Sequence, residues 1–368
     1  MNFTFHLPTK IFFGLQCVAK NSAEFANWGR NALIVTGRSS AKTSGALADI
    51  QQALARHGIT WKVFDQIEEN PSFATVEAGG EAAREHRADM IVGVGGGSPL
   101  DAAKAIAVLA TNKMAPGQLF GGQFPAKPLP IIAIPLTAGT GSEVTPYSIL
   151  TDAERQTKRS FSHPDIFPKA AFLDARYTES LPWPVTVNTA VDALSHAVEG
   201  YMSRRGNLLS DQLALEAVRY FGKTIRALKE DVLTLEHREE LLYASLLGGM
   251  VIAQTGTTMV HSLGYSLTFF RNIPHGRANG LLLTEYLRFL QPVAPEKVSA
   301  ILKALVLKSI DECGLIMQTL LGVEDALTEK ELEEFSRIAL QATNLVNTPR
   351  IPDIGDLKNV LNESLPGR

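Results

Sequence analysis

The chain has 368 residues, of which 45% are hydrophobic and 20% are charged, and its formal net charge is −3. A chain of this length can bury a large core and can form two domains. The small negative charge excludes the basic surface that follows nucleic-acid phosphates, so we expect no nucleic-acid partner. No run reaches the roughly 20 apolar residues of a membrane span, and the start MNFTFHLPTK lacks a signal-peptide pattern, so we expect a cytoplasmic protein without a membrane partner.

Cysteine usage narrows the chemistry of any metal site. Cys17 and Cys313 are the two cysteines, and they lie far apart in the sequence. This pattern fits neither a disulfide framework nor a thiolate metal site. A metal, if one binds, must therefore be held by nitrogen and oxygen atoms.

The first half of the chain alternates short apolar runs with helical patterns. Strands are predicted at residues 31–36, 61–64, 90–94 and 129–135. Between the first two, residues 46–55 carry apolar side chains at helical spacing, and Gly58 is a natural stop. This alternation is typical of a parallel α/β sheet.

The second half of the chain has a different sequence pattern. After Pro182 and Pro184 the β-branched runs nearly vanish, and long helical patterns rich in Ala and Leu follow. We therefore predict an α/β domain over residues 1–181 and an all-helical domain over residues 182–368.

A glycine-rich segment, Gly93-Val-Gly-Gly-Gly-Ser-Pro-Leu-Asp101, joins the strand at 90–94 to a helical run at 102–109. Glycines let the backbone approach a pyrophosphate, and the free amides of a helix start supply donors. A simple turn between a strand and a closely packed helix is the alternative. The spacing also differs from the Gly-x-Gly-x-x-Gly dinucleotide fingerprint, so the motif alone does not assign an ordinary Rossmann fold. The predicted cofactor-binding residues here are Gly95, Gly96, Gly97, Ser98 and Asp101.

Two further strand ends carry candidate cofactor contacts. The segment 135–143 offers the hydroxyls of Thr137, Thr140 and Ser142. The first strand ends in Thr36-Gly37-Arg38-Ser39-Ser40, which lacks an acidic residue for the ribose 2′-hydroxyl. Gly37, Arg38 and Ser39 favour NADP over NAD. The alternative is that Arg38 is a solvated loop cation, in which case NAD remains possible.

A set of metal-ligand residue types lies in the helical half. Asp192 and His196 are four residues apart, which on a helix places both on one face. Such a pair alone can simply form a surface hydrogen bond. His261 and His275 lie in apolar or Gly/Pro-bounded contexts, where each alone could be a core or turn histidine. Together, one carboxylate and three imidazoles suit Fe(II) or Zn(II), with room for a substrate oxygen.

Several motifs in order resemble the iron-containing (group III) alcohol dehydrogenase family over nearly the whole chain. They are Phe13-Gly14 and the segments 95–101, 135–143, 192–199 and 274–276.

The resemblance implies that Asp192, His196, His261 and His275 are the metal ligands and act in catalysis through the metal. It also implies that the loop at Gly95 to Ser98 binds the pyrophosphate and that Thr137 and Thr140 line the nicotinamide side. Asn70 and Lys158 become further cofactor candidates, although Asn70-Pro71 is otherwise an ordinary turn and Lys158 lies in a charged hairpin-like segment. The implied architecture is a Rossmann-like α/β nucleotide domain and an all-α domain, as in dehydroquinate synthase, with a cleft between them and a homodimer.

Four positions depart from the family pattern. Leu136 replaces a usual Thr, and Gln16 replaces a frequent Gly. Tyr265 stands one turn after His261, where many members carry a second His, and Gly37 replaces the acidic residue of NAD-preferring members. The short chain with Tyr147-Ser-Ile-Leu150 resembles members that act on 1,3-propanediol or butanol.

The predicted function is hydride transfer between NAD(P)(H) and a small primary alcohol, diol or aldehyde, with the metal as Lewis acid on the substrate oxygen. One alternative is a metal-dependent cyclising lyase of the dehydroquinate synthase type, which expects basic residues around the metal for an anionic substrate. Residues 257–267 are mostly apolar or hydroxylic instead, which favours a small neutral alcohol. A non-catalytic protein that binds a nucleotide and a structural metal is the other alternative.

Overall fold

The computed structural model describes residues 2–155 and 157–367. Within these residues, the β-strands are β1 (Lys10–Phe13), β2 (Asn31–Gly37), β3 (Thr60–Ile67), β4 (Met90–Gly95), β5 (Ile131–Pro135), β6 (Tyr147–Asp152), β7 (Thr157–Ser162) and β8 (Ala170–Leu173). The α-helices that accompany them are α1 (Cys17–Lys20), α2 (Ser40–Thr43), α3 (Ala46–Arg56), α4 (Phe73–Glu85) and α5 (Gly97–Thr111).

From residue 182 onward the regular structure is helical. The helices are α6 (Trp183–Met202), α7 (Leu208–Glu230), α8 (Leu235–Thr255), α9 (Met259–Arg271), α10 (His275–Leu290), α11 (Pro295–Ala304), α12 (Ile310–Leu321), α13 (Glu329–Leu340) and α14 (Ile354–Ser364). The prediction of an α/β half followed by a helical half is confirmed.

Six parallel strands form the main sheet in the order β1-β8-β5-β4-β2-β3. Alternate side chains enter two separate cores, as the period of two along a strand requires. Leu33 and Ile91 belong to the core on one face, whereas Ile34 and Val92 belong to the core on the other. Because both faces are covered, the central strands read as continuous apolar runs in the sequence.

The connections of the sheet reverse direction between β2 and β4. From β2 the chain moves outward to β3, and from β4 it moves the opposite way to β5. Thr36 is paired with Val94, so the loops that follow β2 and β4 leave the sheet side by side. In open parallel sheets, ligands bind beyond the carboxyl ends of the strands at such a reversal.

The chain divides into two compact units. One contains residues 7–137 and 141–181, and the other contains the amino-terminal residues up to His6, Ala138–Thr140 and the chain from Pro182 onward. The second unit therefore includes two short segments from the first half of the sequence. No helix among residues 2–155 and 157–367 is long and apolar enough to cross a bilayer.

Helix α6 is the centre of the helical unit, where it packs against α7, α8 and α10. Glycines on α10 permit the close approach to α6. A Cβ at Gly276 would lie 1.9 Å from the carbonyl oxygen of Asn188, and one at Gly280 would lie 2.3 Å from Cγ1 of Val191. The start of α10 is therefore held against the turn of α6 that carries Asp192.

Candidate metal centre and nucleotide-binding loops

Helix α6 supplies the first two metal-ligand candidates. Asp192 and His196 are one turn apart on this helix, and their exposed fractions are 2% and 5%. A buried carboxylate needs compensating partners, because removing its charge from water is costly. Burial opposes ionisation of Asp192, but the neighbouring His196, His275 and His261 outweigh it and hold the pKa of this carboxyl at about 2.

Helices α9 and α10 bring the other two histidines to the same place. Nε2 of His261 lies 3.0 Å from Nε2 of His196 and 3.9 Å from Oδ1 of Asp192. Nε2 of His275 lies 4.0 Å from the same Asp192 oxygen. Asp192, His261 and His275 each offer a ligand atom within 4.8 Å of the other two. The structure thus brings together all four residues that the sequence singled out.

The second nitrogen of two of these rings is held by a fixed acceptor. Nδ1 of His196 lies 3.2 Å from the carbonyl oxygen of Gly139, and Nδ1 of His261 contacts the carboxylate of Glu199. Both acceptors lack hydrogen, so each Nδ1 carries the ring proton. In the neutral rings, the Nε2 lone pairs of His196 and His261 consequently face each other across 3.0 Å.

Two facing lone pairs repel each other unless a cation or a proton lies between them. A proton on His196 is disfavoured, because burial lowers the pKa of this ring more than Asp192 raises it. A metal ion resolves the repulsion, since metal–ligand bonds of about 2.1 Å bring neighbouring ligand atoms to about 3.0–3.5 Å. The donor set of one carboxylate and three imidazoles therefore fits a divalent transition metal.

Glu199 holds His261 in place. The sequence analysis predicted no role for this residue. This carboxylate is fully buried and accepts hydrogen bonds from His261 Nδ1, from the Thr258 backbone N–H at 2.8 Å and from the Thr258 hydroxyl at 2.7 Å. Burial raises its pKa, but the charge and hydrogen bond of His261 and the Thr258 donors bring the pKa below the ordinary value. A carboxylate on the second nitrogen of a ligand histidine fixes the ring and increases its basicity. The available signal was its position three residues after His196 on one helix.

Asn279 is the other polar residue that sequence reasoning missed. It lies one turn after His275 on α10 and is fully buried. Its Nδ2 lies 2.9 Å from Oδ1 of Asp192, 3.1 Å from Nε2 of His261 and 3.2 Å from Nε2 of His275. The carboxamide thus occupies the focus of three of the four candidate ligands.

Tyr265 borders the same cluster. Its ring stacks on His275 with centroids 5.6 Å apart and an interplanar angle of 11°. It meets His261 edge-on at 6.4 Å. Tyr265 therefore places an aromatic ring beside the candidate metal ligands.

The glycine-rich loop has the backbone geometry that a phosphate site requires. Gly95 has φ +155°, and a Cβ there would lie 2.4 Å from Cγ of Pro99, so a side chain is excluded. Helix α5 begins at Gly97 directly after this turn. Within the described part of the chain, no side chain caps the amino terminus of α5. A helix start of this kind leaves backbone N–H groups as donors for an anion.

Residues at the base of this loop form a buried network. The Ser142 hydroxyl donates to Asp101 Oδ1 at 2.6 Å and accepts from Lys104 Nζ at 2.7 Å. Lys104 also donates to the Tyr147 carbonyl at 2.6 Å. Burial lowers the pKa of Lys104 to about 8 and raises that of Glu143 to about 7. Asp101 and Ser142 thus support the loop from inside, and their direct contact with a cofactor remains a prediction.

Other predicted cofactor residues lie around the ends of β2, β3 and β4. The Asn70 backbone N–H donates to the Ser98 hydroxyl at 3.1 Å, which joins the loop after β3 to the start of α5. Thr137 packs on Gly96, where a Cβ would lie 3.2 Å from its methyl carbon. Arg38 and Ser39 are exposed in the turn after β2, beside Gly37. Lys158 lies on the β6–β7 hairpin, opposite Thr151, whereas Thr140 belongs to the helical unit.

Comparison with known proteins gives matches over both halves of the chain. The family model for iron-containing alcohol dehydrogenase matches residues 8–175, and that for the carboxy-terminal part of the Fe-containing alcohol dehydrogenase family matches residues 186–365. The 1,3-propanediol dehydrogenase of Citrobacter freundii is 34% identical over 305 residues, which cover 81% of this chain and 78% of that protein.

Two solved structures superpose on nearly the whole chain. An iron-containing alcohol dehydrogenase from Thermotoga maritima has a TM-score of 0.92 and 40% identity, covering 99% of this chain and all of the other. Sulfoacetaldehyde reductase from Bifidobacterium kashiwanohense, solved with NAD+, has a TM-score of 0.88 and 29% identity, covering 99% and 98%.

The fold and the comparisons define the class of protein: an oxidoreductase that acts on CH–OH groups, with alcohol dehydrogenase or aldehyde reductase activity that depends on a metal. The match spans both halves of the sequence. The chain belongs to the iron-containing alcohol dehydrogenase family.

Proposed function

We propose that Asp192, His196, His261 and His275 hold the catalytic metal, Fe(II) in preference to Zn(II). The proposal rests on the 3.0 Å distance between Nε2 of His196 and Nε2 of His261, since Nδ1 of each ring already has a hydrogen-bond acceptor. Three imidazoles and a carboxylate suit either ion by ligand type. When bound, the metal supplies a Lewis acid for the substrate oxygen, and NAD(P) supplies or accepts the hydride.

The substrate we propose is a small primary alcohol, diol or aldehyde. Support comes from the residues near the ligands, since Tyr265 and the segment 257–267 offer aromatic, apolar and hydroxylic groups rather than cations. Such a lining suits a small neutral molecule, because an anionic substrate would need paired basic groups. The name of the 1,3-propanediol dehydrogenase of Citrobacter freundii gives a substrate of this kind for that protein.

We propose that NAD(P) binds across the loops at the reversal of the sheet. The pyrophosphate would lie on Gly95, Gly96, Gly97 and Ser98, where backbone N–H groups at the start of α5 would provide donors. Gly37, Arg38 and Ser39 would meet the adenine ribose, and their composition favours NADP. Asn70, Thr137, Thr140 and Lys158 would complete the cofactor contacts, with Asp101 and Ser142 at the base of the loop.

We further propose a cytoplasmic homodimer. Both described cysteines are free and buried, which suits a reducing compartment. Size-exclusion chromatography with light scattering measures the oligomeric state directly, and a monomeric mass would contradict the dimer.

The activity is tested by reconstituting the protein with Fe(II) or Zn(II) and assaying short alcohols and aldehydes with both cofactors. We expect His261→Ala to lose metal and activity together, while His57→Ala, which removes an imidazole that contacts Ser22, keeps both. Net accumulation of reduced cofactor separates a dehydrogenase from a cyclising lyase, which recycles it. Full activity of metal-free protein would contradict the proposed metal site.

A further inference from the structure

The carboxamide of Asn279 has one end crowded and the other end without a partner. Its Nδ2 is 2.9–3.2 Å from one oxygen and two ring nitrogens, whereas among the described residues its Oδ1 has no hydrogen-bond partner and is buried. A carboxamide nitrogen has two hydrogens, so it can donate to at most two of these three atoms. A buried carbonyl oxygen without a donor also carries a desolvation cost.

We propose that Asn279 is a further residue of the metal centre and directs Oδ1 toward the ion. Turning the carboxamide over exchanges oxygen and nitrogen, which are almost equal in size and are assigned from their surroundings. The atom at the focus of Asp192, His261 and His275 is then an oxygen, which can donate a lone pair to a cation. A carboxamide nitrogen cannot, because its hydrogens carry positive charge. This inference rests on the proposed metal site.

The packing around Asn279 restricts the position of its carboxamide. A Cβ at Gly264 would lie 2.1 Å from Oδ1, so α9 presents bare backbone there. The side chain is pressed between α9 and the cluster, and one of its two polar atoms must face the ligands. An added carbonyl oxygen favours an ion that accepts more than four ligands, such as Fe(II) or Co(II), over the predominantly tetrahedral Zn(II).

The test uses Co(II) as a spectroscopic probe in the full-length protein. Affinity is measured by chelator competition, and visible absorption reports the number of ligands, because four-coordinate Co(II) absorbs more strongly than five- or six-coordinate Co(II). We expect Asn279→Ala to weaken Co(II) binding by about tenfold or more and to strengthen the absorption. Asn279→Asp, which always presents oxygen, should bind Co(II) at least as tightly as the wild type.

The order of Co(II) affinities among the variants distinguishes the possible roles of Asn279. If Asn279→Asp binds Co(II) more weakly than Asn279→Ala, the carboxamide acts as an N–H donor to Asp192 and the proposal is wrong. Unchanged affinity and spectrum in both variants would also overturn it. Thr284→Val, a buried polar change on the same helix, is the matched control and should leave both readouts unchanged.

Two further measurements isolate the inference. Asp192→Asn should lose Co(II) binding; if it does and the Asn279 variants do not differ from wild type, only the role of Asn279 fails. If neither Asn279 variant folds, a crystal structure of the Co(II)-loaded wild type decides. A carboxamide atom at about 2.0–2.6 Å from the ion supports the proposal, and one beyond 3 Å overturns it.

Discussion

The buried carboxylate of Glu199 accepts a hydrogen bond from Nδ1 of His261, and so it directs Nε2 of that ring toward Asp192 and His196. Glu199→Gln keeps the shape but removes the charge that favours the Nδ1–H tautomer and the basicity of Nε2. We expect a 10–100-fold loss of metal affinity with the fold retained. Chelator competition measures the loss, and circular dichroism monitors the fold.

The matched control for this change is Glu216→Gln. Glu216 is a partly exposed residue of α7 that pairs with Arg219, so the same substitution there should leave metal affinity within twofold. An unchanged affinity in Glu199→Gln would contradict a positioning role for this carboxylate.

Metal removal should lower the stability of the protein, because the ion relieves the repulsion between His196 and His261. An ion present at about 1,000 times its dissociation constant stabilises the folded state by about 4 kcal/mol. We therefore expect the melting temperature to fall on chelation and to recover when Fe(II) or Zn(II) is restored. His261→Ala should show no such metal-dependent shift; an identical shift in that variant would place the stabilising ion elsewhere.

Arg38 provides a test of cofactor preference. A charge-assisted hydrogen bond to the 2′-phosphate contributes about 1.5–3 kcal/mol, so Arg38→Ala should lower kcat/KM for NADPH by about tenfold or more. The value for NADH should stay nearly constant. Arg56→Ala, an exposed arginine on α3, is the control. Equal losses with both cofactors would show that Arg38 does not recognise the 2′-phosphate.

Glu143 should make stability depend on pH. Burial raises its pKa from 4.5 to about 7 in the folded protein. The folded state therefore binds this proton more tightly than the unfolded state, and the stability it contributes below pH 4.5 is lost as pH rises toward 7. Glu143→Gln removes that loss, so the free energy of unfolding of the variant should rise relative to that of the wild type between these pH values, by on the order of 3 kcal/mol.

Urea unfolding at several pH values measures this difference. The variant and the wild type should run parallel above about pH 8, where the carboxylate is almost fully ionised in the folded protein as well. Exposed Glu81→Gln is the control and should not change the slope. Parallel curves throughout would show that the Glu143 pKa is not raised.

Gln16 has a backbone conformation that favours glycine. Its φ is +60°, in the left-handed region, and its side chain is exposed. The frequent family glycine at this position thus has a conformational reason. Gln16→Gly should raise the free energy of unfolding by about 1 kcal/mol, measured by urea titration. Gln16→Ala, which retains a Cβ, should give no comparable gain.

The sequence predicted those parts of the fold that carry a strong local pattern. β2 and β4 are buried on both faces, and their β-branched runs mark them without tertiary information. β1 and β8 have four residues each, and β8 includes two alanines, so neither stands out from a loop. Their pairing is a long-range contact between Lys10–Phe13 and Ala170–Leu173, which no local pattern records.

The proposed metal centre was predictable to a similar extent. Asp192 and His196 share one helix, so their spacing places them on one face, whereas the convergence of His261 and His275 depends on how α9 and α10 pack against α6. Glu199 and Asn279 were missed because a polar residue on a helix is usually exposed, and their burial follows from packing alone. Their offsets from His196 and His275, three and four residues, are the only local signs.

The carbonyl of Gly139 lies between β5 and β6 in the sequence, yet it accepts the ring proton of His196. A Cβ at this position would lie 2.7 Å from that of Thr189, so the tripeptide Ala138–Thr140 is held closely against α6. A recombinant fragment that starts at Pro182 would contain every proposed metal-ligating side chain but leave one imidazole free to rotate. Efforts to transplant or minimise this proposed metal centre must therefore include the tripeptide together with the helices.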